Sequence, residues 1–121
     1  MKEQKFRKLK VWDKAIDFIE EIYKITKNFP VEETYGLTSQ IRRAGTSIAL
    51  NIAEGSGANS DNEFVRFLNI ALRSAYEVMC GMEIVKRLNY CSGTDTNNIL
   101  KKCDELSAMI TGLKKKLKAN D

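Results

Sequence analysis

The sequence predicts an all-α protein, an antiparallel up-down-up-down four-helix bundle, on three observations. One Pro and seven Gly in 121 residues leave few of the breaks that a chain of many short strands requires. Apolar residues recur at steps of three and four through four separate stretches, the spacing of one helix face. With 43% hydrophobic residues, a chain of this length can bury one continuous core. Residues 1–121 therefore read as a single domain with a short basic N-terminal arm, residues 1–10.

The first helix is expected from Val11 to Asn28, with Trp12, Ala15, Ile16, Ile19, Ile22 and Tyr23 inward and Phe18 and Ile25 off that stripe. Phe29-Pro30 ends it, because proline disfavours helical geometry in the residue before it and has no N–H for the ladder. A second helix begins between Glu33 and Thr38 and runs to about Glu54, with Leu37, Ile41, Ala44, Ile48 and Ile52 inward; Gly55-Ser56-Gly57 stops it. Ser60 and Glu63 form a capping box for the third, whose hydroxyl and carboxylate would satisfy each other's free amides. That helix carries Phe64, Phe67, Leu68, Ala71, Ala75, Val78, Met79, Met82 and Val85 to about Asn89, and Tyr90 through Gly93 make the turn. The last helix places Ile99, Cys103, Leu106, Ile110, Leu113 and Leu117 in alternating steps of four and three, a coiled-coil-like seam. Short connections make sequential helices neighbours.

Several function classes recede on composition. Histidine is absent, which removes the commonest general base and imidazole ligand near neutral pH. Cys80, Cys91 and Cys103 fit neither a disulfide framework nor a CxxC pair. They read as buried, inert thiols in a reducing cytoplasm, since Cys103 falls on an inner stripe and Cys80 among apolar neighbours. The carboxylates Glu32 with Glu33, Asp61 with Glu63, and Asp104 with Glu105 lie near helix starts or exposed faces, where dipole and solubility roles explain them. Gly55-Ser56-Gly57 lacks the strand and Lys-Ser/Thr of a phosphate-binding loop. The start leads into no apolar signal core, and charges interrupt every apolar stretch short of membrane-spanning length. No cofactor, metal, membrane or small-molecule substrate is expected.

Gln40, Ser47, Asn51 and Glu54 follow one another at steps of seven, four and three, a polar stripe beside the apolar face of the second helix. Asn51 and Glu54 are expected to satisfy hydrogen bonds inside the bundle and to fix its register. Gly45, in mid-helix at about 1 kcal/mol relative to Ala, points to a close helix approach within or between subunits.

A net charge of +4 and a pI near 9.0 permit attraction to phosphate, although 16 acidic residues among 20 basic ones make a mixed surface. Aromatic residues are 8% of the chain, so base-stacking platforms could be built only sparingly. Lys2, Lys5, Arg7, Lys8, Lys10 and Lys14, opposed in that stretch only by Glu3 and Asp13, account for the whole net charge. A second cluster, Lys114, Lys115, Lys116 and Lys118, closes the last helix, where the dipole favours cations. Together with Arg42 and Arg43 these residues are the candidate phosphate-contacting surface, which symmetric assembly would multiply.

An ordered series of segments carries a family resemblance: Leu9-Lys10-Val11-Trp12 with Ala15, Phe29-Pro30, Glu33 with Tyr35-Gly36-Leu37, Gln40-Ile41-Arg42-Arg43-Ala44, Ser47-Ile48, Asn51-Ile52-Ala53-Glu54-Gly55, and Phe64 through Ala71. Over nearly its whole length the chain resembles the bacterial four-helix-bundle proteins encoded in intervening sequences of 23S rRNA genes, sometimes grouped with ribosomal proteins. The resemblance implies a four-helix bundle assembling as a ring-like homopentamer, similar to the accessory variability proteins of diversity-generating retroelements. Those are basic proteins that work with a reverse transcriptase and nucleic acid. The expected function is thus a non-enzymatic homo-oligomeric adaptor in the cytoplasm, binding RNA or a ribonucleoprotein through the basic residues. The alternative is a protein-assembly scaffold that uses Trp12, Phe18 or Tyr23 surfaces. Phe18 and Ile25, off the inner stripe, are a further reason to expect oligomers.

Overall fold

The computed structural model describes residues 4–119, so Lys2 and Glu3 of the predicted arm lie outside the described residues. A short 3-10 helix, Lys5–Lys8, leads into α1, Lys10–Thr26. A second 3-10 turn, Val31–Glu33, precedes α2, Leu37–Ser56, which is followed by α3, Asp61–Leu88, and α4, Gly93–Lys118. There is no strand among the described residues.

Partners across each helix pair set the directions. Between α1 and α2, Arg42 Nε donates to Thr26 Oγ1, and Gly45 lies against Ile22. Between α2 and α3, Gly55 faces Phe64, Ser47 meets Ser74, and Ile41 faces Gly81. Between α3 and α4, Lys86 bonds Asn97, Ala75 O accepts from Cys103 Sγ, and Asn69 accepts from Lys114. In every pair one number rises as the other falls, so neighbours are antiparallel. The Lys102–Glu21 ion pair, 3.0 Å, joins α4 back to α1. The result is an up-down-up-down bundle in which each helix packs on two others.

The core is built from Ala15, Phe18 and Ile22 of α1, Ile41, Ile48 and Ile52 of α2, Leu68, Val78, Met82 and Val85 of α3, and Ile99, Cys103, Leu106 and Ile110 of α4. On α1 the predicted stripe is rotated. Val11, Ala15, Phe18, Ile22 and Thr26 are innermost, Trp12, Ile16 and Ile19 are half-buried, and Tyr23 is exposed. The apolar arc of α1 is wide enough to fit either register, and packing against α2 and α4 on its two flanks selects the one centred on Phe18. Phe18 is only 3% exposed and Ile25 packs on the core, so neither is a spare surface for a partner.

On α3, Val65, Ser74 and Gly81 are buried, while Phe64, Phe67 and Met79 stay half-exposed. Ser74 and Gly81 are inside because α2 approaches closely there. A Cβ on Gly81 would lie 2.7 Å from Ile41 Cγ1. Gly45 has no such constraint, since a Cβ there would meet Ile22 at an ordinary 3.7 Å; close approach within the subunit does not account for this glycine.

Local chemistry sets the helix ends. Ser60 Oγ accepts from Glu63 N at 3.1 Å, but the Glu63 carboxylate turns to Arg66 at 2.6 Å, so only one arm of the predicted box is recorded. Ser92 caps α4 in the same way through Asp95 N, a cap hidden in the sequence by the glycine that follows it. Asn89 ends α3 in the left-handed region, φ 57°, where Asn is tolerated.

One carboxylate ties two connections together. Glu33 Oε1 accepts from Leu37 N, 3.1 Å, capping α2, and its Oε2 accepts from the Tyr90 hydroxyl, 2.9 Å. That bond, aided by desolvation, holds the Tyr90 phenol above its ordinary pKa. A Cβ on Gly36 would stand 2.8 Å from Glu33 Oε1, so glycine there leaves the carboxylate its place.

Replacing Gly45 by Ala is expected to raise stability by up to about 1 kcal/mol, because helix propensity improves without a clash. Gly81→Ala is expected to lower it by roughly 1–3 kcal/mol through overpacking against Ile41. Urea midpoints of the two variants, moving in opposite directions, check both.

Candidate functional site

The basic residues do not form one surface. Lys5, Arg7, Lys8 and Lys10 are exposed, yet they are not on a free arm. Phe6 meets Trp12 edge-on at 4.9 Å, Leu9 packs on the core, and the 3-10 helix lies against α2. Apolar residues interleaved with the cations fold this segment down, which the charge pattern alone did not convey. Lys5, Leu9 and Leu117 border one groove with Gly55, Ser60 and Phe64, so the start of α1 and the end of α4 meet at the same end of the bundle. Lys115, Lys116 and Lys118 are exposed there, and Lys114 Nζ donates to Asn69 Oδ1 at 3.0 Å. Glu54, Asp61 and Glu63 share this end, and Glu63 is engaged by Arg66.

Arg42 and Arg43 sit elsewhere. Fourteen residues of α2 separate Arg42 from Ser56 at the basic end, which at 1.5 Å per residue is about 20 Å. The Arg42 side chain is held: Nε donates to Thr26 Oγ1 at 2.8 Å, and the guanidinium carbon stands 4.5 Å from the Tyr23 ring centroid. Arg43 is exposed. Both line an open groove of about 530 Å³ with Tyr23, Thr34, Tyr35 and Leu50. Tyr35 is 97% exposed and Leu50 60%. The sequence offered little warning of this arrangement, because Tyr35 lies in a connection with no periodic apolar partner. Its only signal was its place beside Gly36 in the family pattern.

Of the polar stripe, Gln40 and Glu54 are exposed, contrary to the internal role expected of Glu54. Its position on α2 turns it outward, past the face that α3 covers. Asn51 Nδ2 donates to Ser47 O at 2.8 Å and to Ser47 Oγ at 3.0 Å, and Ser74 Oγ donates to Ser47 Oγ at 2.9 Å. The register-setting group is therefore Ser47, Asn51 and Ser74. Ser74 was hidden within an otherwise apolar run.

The three cysteines differ. Cys103 is buried, its Sγ is 3.5 Å from Ala75 O, and burial pushes its thiol up to about 12, with a smaller push from Asp104. Cys80 is exposed, correcting the expectation that it is buried; it follows Tyr76 by one turn on the outward face of α3. Cys91 is intermediate. Among the described residues no three His, Cys, Asp or Glu side chains come together as metal ligands, and no helix is long and apolar enough to cross a membrane.

A family model for 23S rRNA-intervening sequence proteins matches residues 7–112. Among solved structures, a protein of unknown function from the S23 ribosomal protein family of Bacteroides thetaiotaomicron is similar, with a TM-score of 0.81. The two are 30% identical, with 87% of this chain and 98% of that chain covered. No curated protein matches.

The Cys103 thiol generates a pH prediction. Its folded pKa is raised, so the stability it contributes is present below about 9 and falls as pH climbs toward 12, because the unfolded chain loses this proton first. Urea unfolding is expected to show a decline of up to roughly 1 kcal/mol per pH unit above pH 9, and Cys103→Ala should remove that component. In the folded protein an aromatic disulfide reagent should modify Cys80 readily and Cys103 only on unfolding.

Proposed function

Because the chain belongs to the 23S rRNA-intervening sequence protein family, we propose that it is a non-enzymatic homo-oligomeric adaptor that engages RNA or a ribonucleoprotein through its basic surfaces. The observation that carries this reading is the convergence of Lys5, Arg7, Lys8 and Lys10 with Lys115, Lys116 and Lys118 on one end of the bundle. Such a concentration of exposed cations neutralises phosphates and releases their counterions, which needs no base-specific contact. A ring-like homopentamer, as the family resemblance implies, would repeat the basic end around an axis and turn several weak contacts into one strong one.

A second reading has its own observation. Tyr76, 72% exposed, is followed at four-residue steps by Cys80, Ile84 and Leu88, all exposed along the outer side of α3. A ridge of this kind favours contact with another protein surface, either a further copy of the chain or a scaffold partner. It replaces the Phe18 surface as the reason to expect assembly.

Replacing Lys5, Arg7, Lys8 and Lys10 together by Ala should weaken binding to RNA and flatten its salt dependence. Each lost phosphate contact should reduce the log–log slope by about 0.7 on single strands or 0.9 on duplex. Unchanged affinity across a salt titration of this variant would transfer the function to protein scaffolding. Light scattering at micromolar concentration is expected to give a mass several times that of the chain, and a strictly monomeric species would remove the oligomeric part of the reading.

A further inference from the structure

The groove that holds Arg42 and Arg43 differs chemically from the basic end and calls for a different ligand contact. The geometry points to a site for an unpaired nucleotide of single-stranded RNA, its base stacked on Tyr35 and its phosphate held by Arg42 and Arg43. The inference rests on the RNA-binding reading but uses residues about 20 Å along α2 from the basic end.

Three observations converge on it. First, the lining of this groove contains two arginines and no carboxylate. The other principal grooves each carry an acid: Glu21 on both grooves between α1 and α4, Asp61 at the basic end, Glu77 between α2 and α3. Neither arginine forms an ion pair among the described residues, although Arg43 also borders the neighbouring groove that carries Glu77.

Second, Tyr35 presents an aromatic ring that is 97% exposed, with Leu50 contributing further apolar surface to the same groove. Both faces of an unstacked base match a ring of this kind, whereas bases inside a duplex are already stacked and cannot reach it. Third, hydroxyls surround the arginines: Thr34, Thr46 and Tyr23 line the groove and offer partners to a ribose 2′-OH. Arg42 is oriented by a hydroxyl and a ring instead of a carboxylate, so its charge stays available while its direction is fixed.

The occupant follows from the combination. Two arginines in a groove whose lining has no carboxylate favour an anion, and an exposed aromatic face suits a flat group stacked beside it. A nucleotide of a single strand supplies both on one monomer unit.

The test uses the full chain, a fluorescein-labelled oligouridine of twelve nucleotides and a fully paired RNA duplex of equal length, with anisotropy read across a salt titration. Tyr35→Ala is expected to weaken single-strand binding roughly 10- to 100-fold, with the salt slope and the duplex affinity unchanged. Tyr35→Phe is expected to restore the wild-type value. Arg43→Ala should lower both affinity and slope on the single strand.

Equal losses on single strand and duplex, or no loss on either, would overturn the stacking site. A change of oligomeric mass in Tyr35→Ala with RNA affinity intact would also overturn it, making the groove a contact between copies. The arm variant separates the two readings. If it alone loses binding, the groove fails and the basic end stands. If Tyr35→Ala alone loses single-strand binding, the groove stands and the basic end fails. Absence of binding to either RNA at low salt would overturn both.

Discussion

The close approach of α2 to α3 is the constraint on which the rest of the bundle depends. Helices whose facing residues are large stand off by the length of their side chains; here Gly81 against Ile41, Gly55 against Phe64 and Phe67, and Ser74 against Ser47 let the two backbones come together. Ile41 fills the space that Gly81 leaves, and Ser47, Ser74 and Asn51 share hydrogen bonds where the seam would otherwise bury unpaired hydroxyls. Bulky residues on α1 and α4 then fill the opposite side, where Phe18 and Leu106 border the same groove. A bundle with one tight and one wide seam has a single low-energy register, because sliding either helix by a turn would set Ile41 against a larger neighbour.

Much of this was legible in the sequence because the boundaries are chemically punctuated. Pro30 and the Ser60 cap each act through the backbone of their own segment, which makes their effect readable without knowledge of the fold, whereas Gly55, read as part of the stop, lies inside α2 and makes room for Phe64 and Phe67. The rotation of α1 was not readable in that way. Its apolar residues span a wide arc of the helix, and which of them faces inward is decided by where α2 and α4 lie. The same holds for Ser74 and Glu54: one is drawn inside and the other left outside by the placement of a neighbour, not by their own polarity.

The division of the basic residues was implicit in the antiparallel topology. A residue near the start of α2 stands level with the end of α1, while the start of α1 stands level with the end of α4. Charge of one sign therefore accumulates at two heights, set by which helix end each residue stands near. The groove around Tyr35 depends further on the Glu33 carboxylate, which fixes the turn on which Tyr35 stands through Leu37 and Tyr90. No pairwise pattern in the sequence announces that a carboxylate in one connection is bound by a tyrosine in another.

The fixed orientation of Arg42 has a thermodynamic consequence. A long side chain loses about 2 kcal/mol of rotational freedom when it is immobilised, and Arg42 has surrendered that freedom on folding, to Thr26 and Tyr23. Lys114 apart, the exposed lysines of the basic end have no such bond among the described residues, so a contact made there would also have to fix a rotamer-rich side chain. On the proposed reading the two surfaces would then suit different tasks: the lysine-rich end loose, sliding attraction over a long polyanion, and the pre-set arginine the holding of one group in one place.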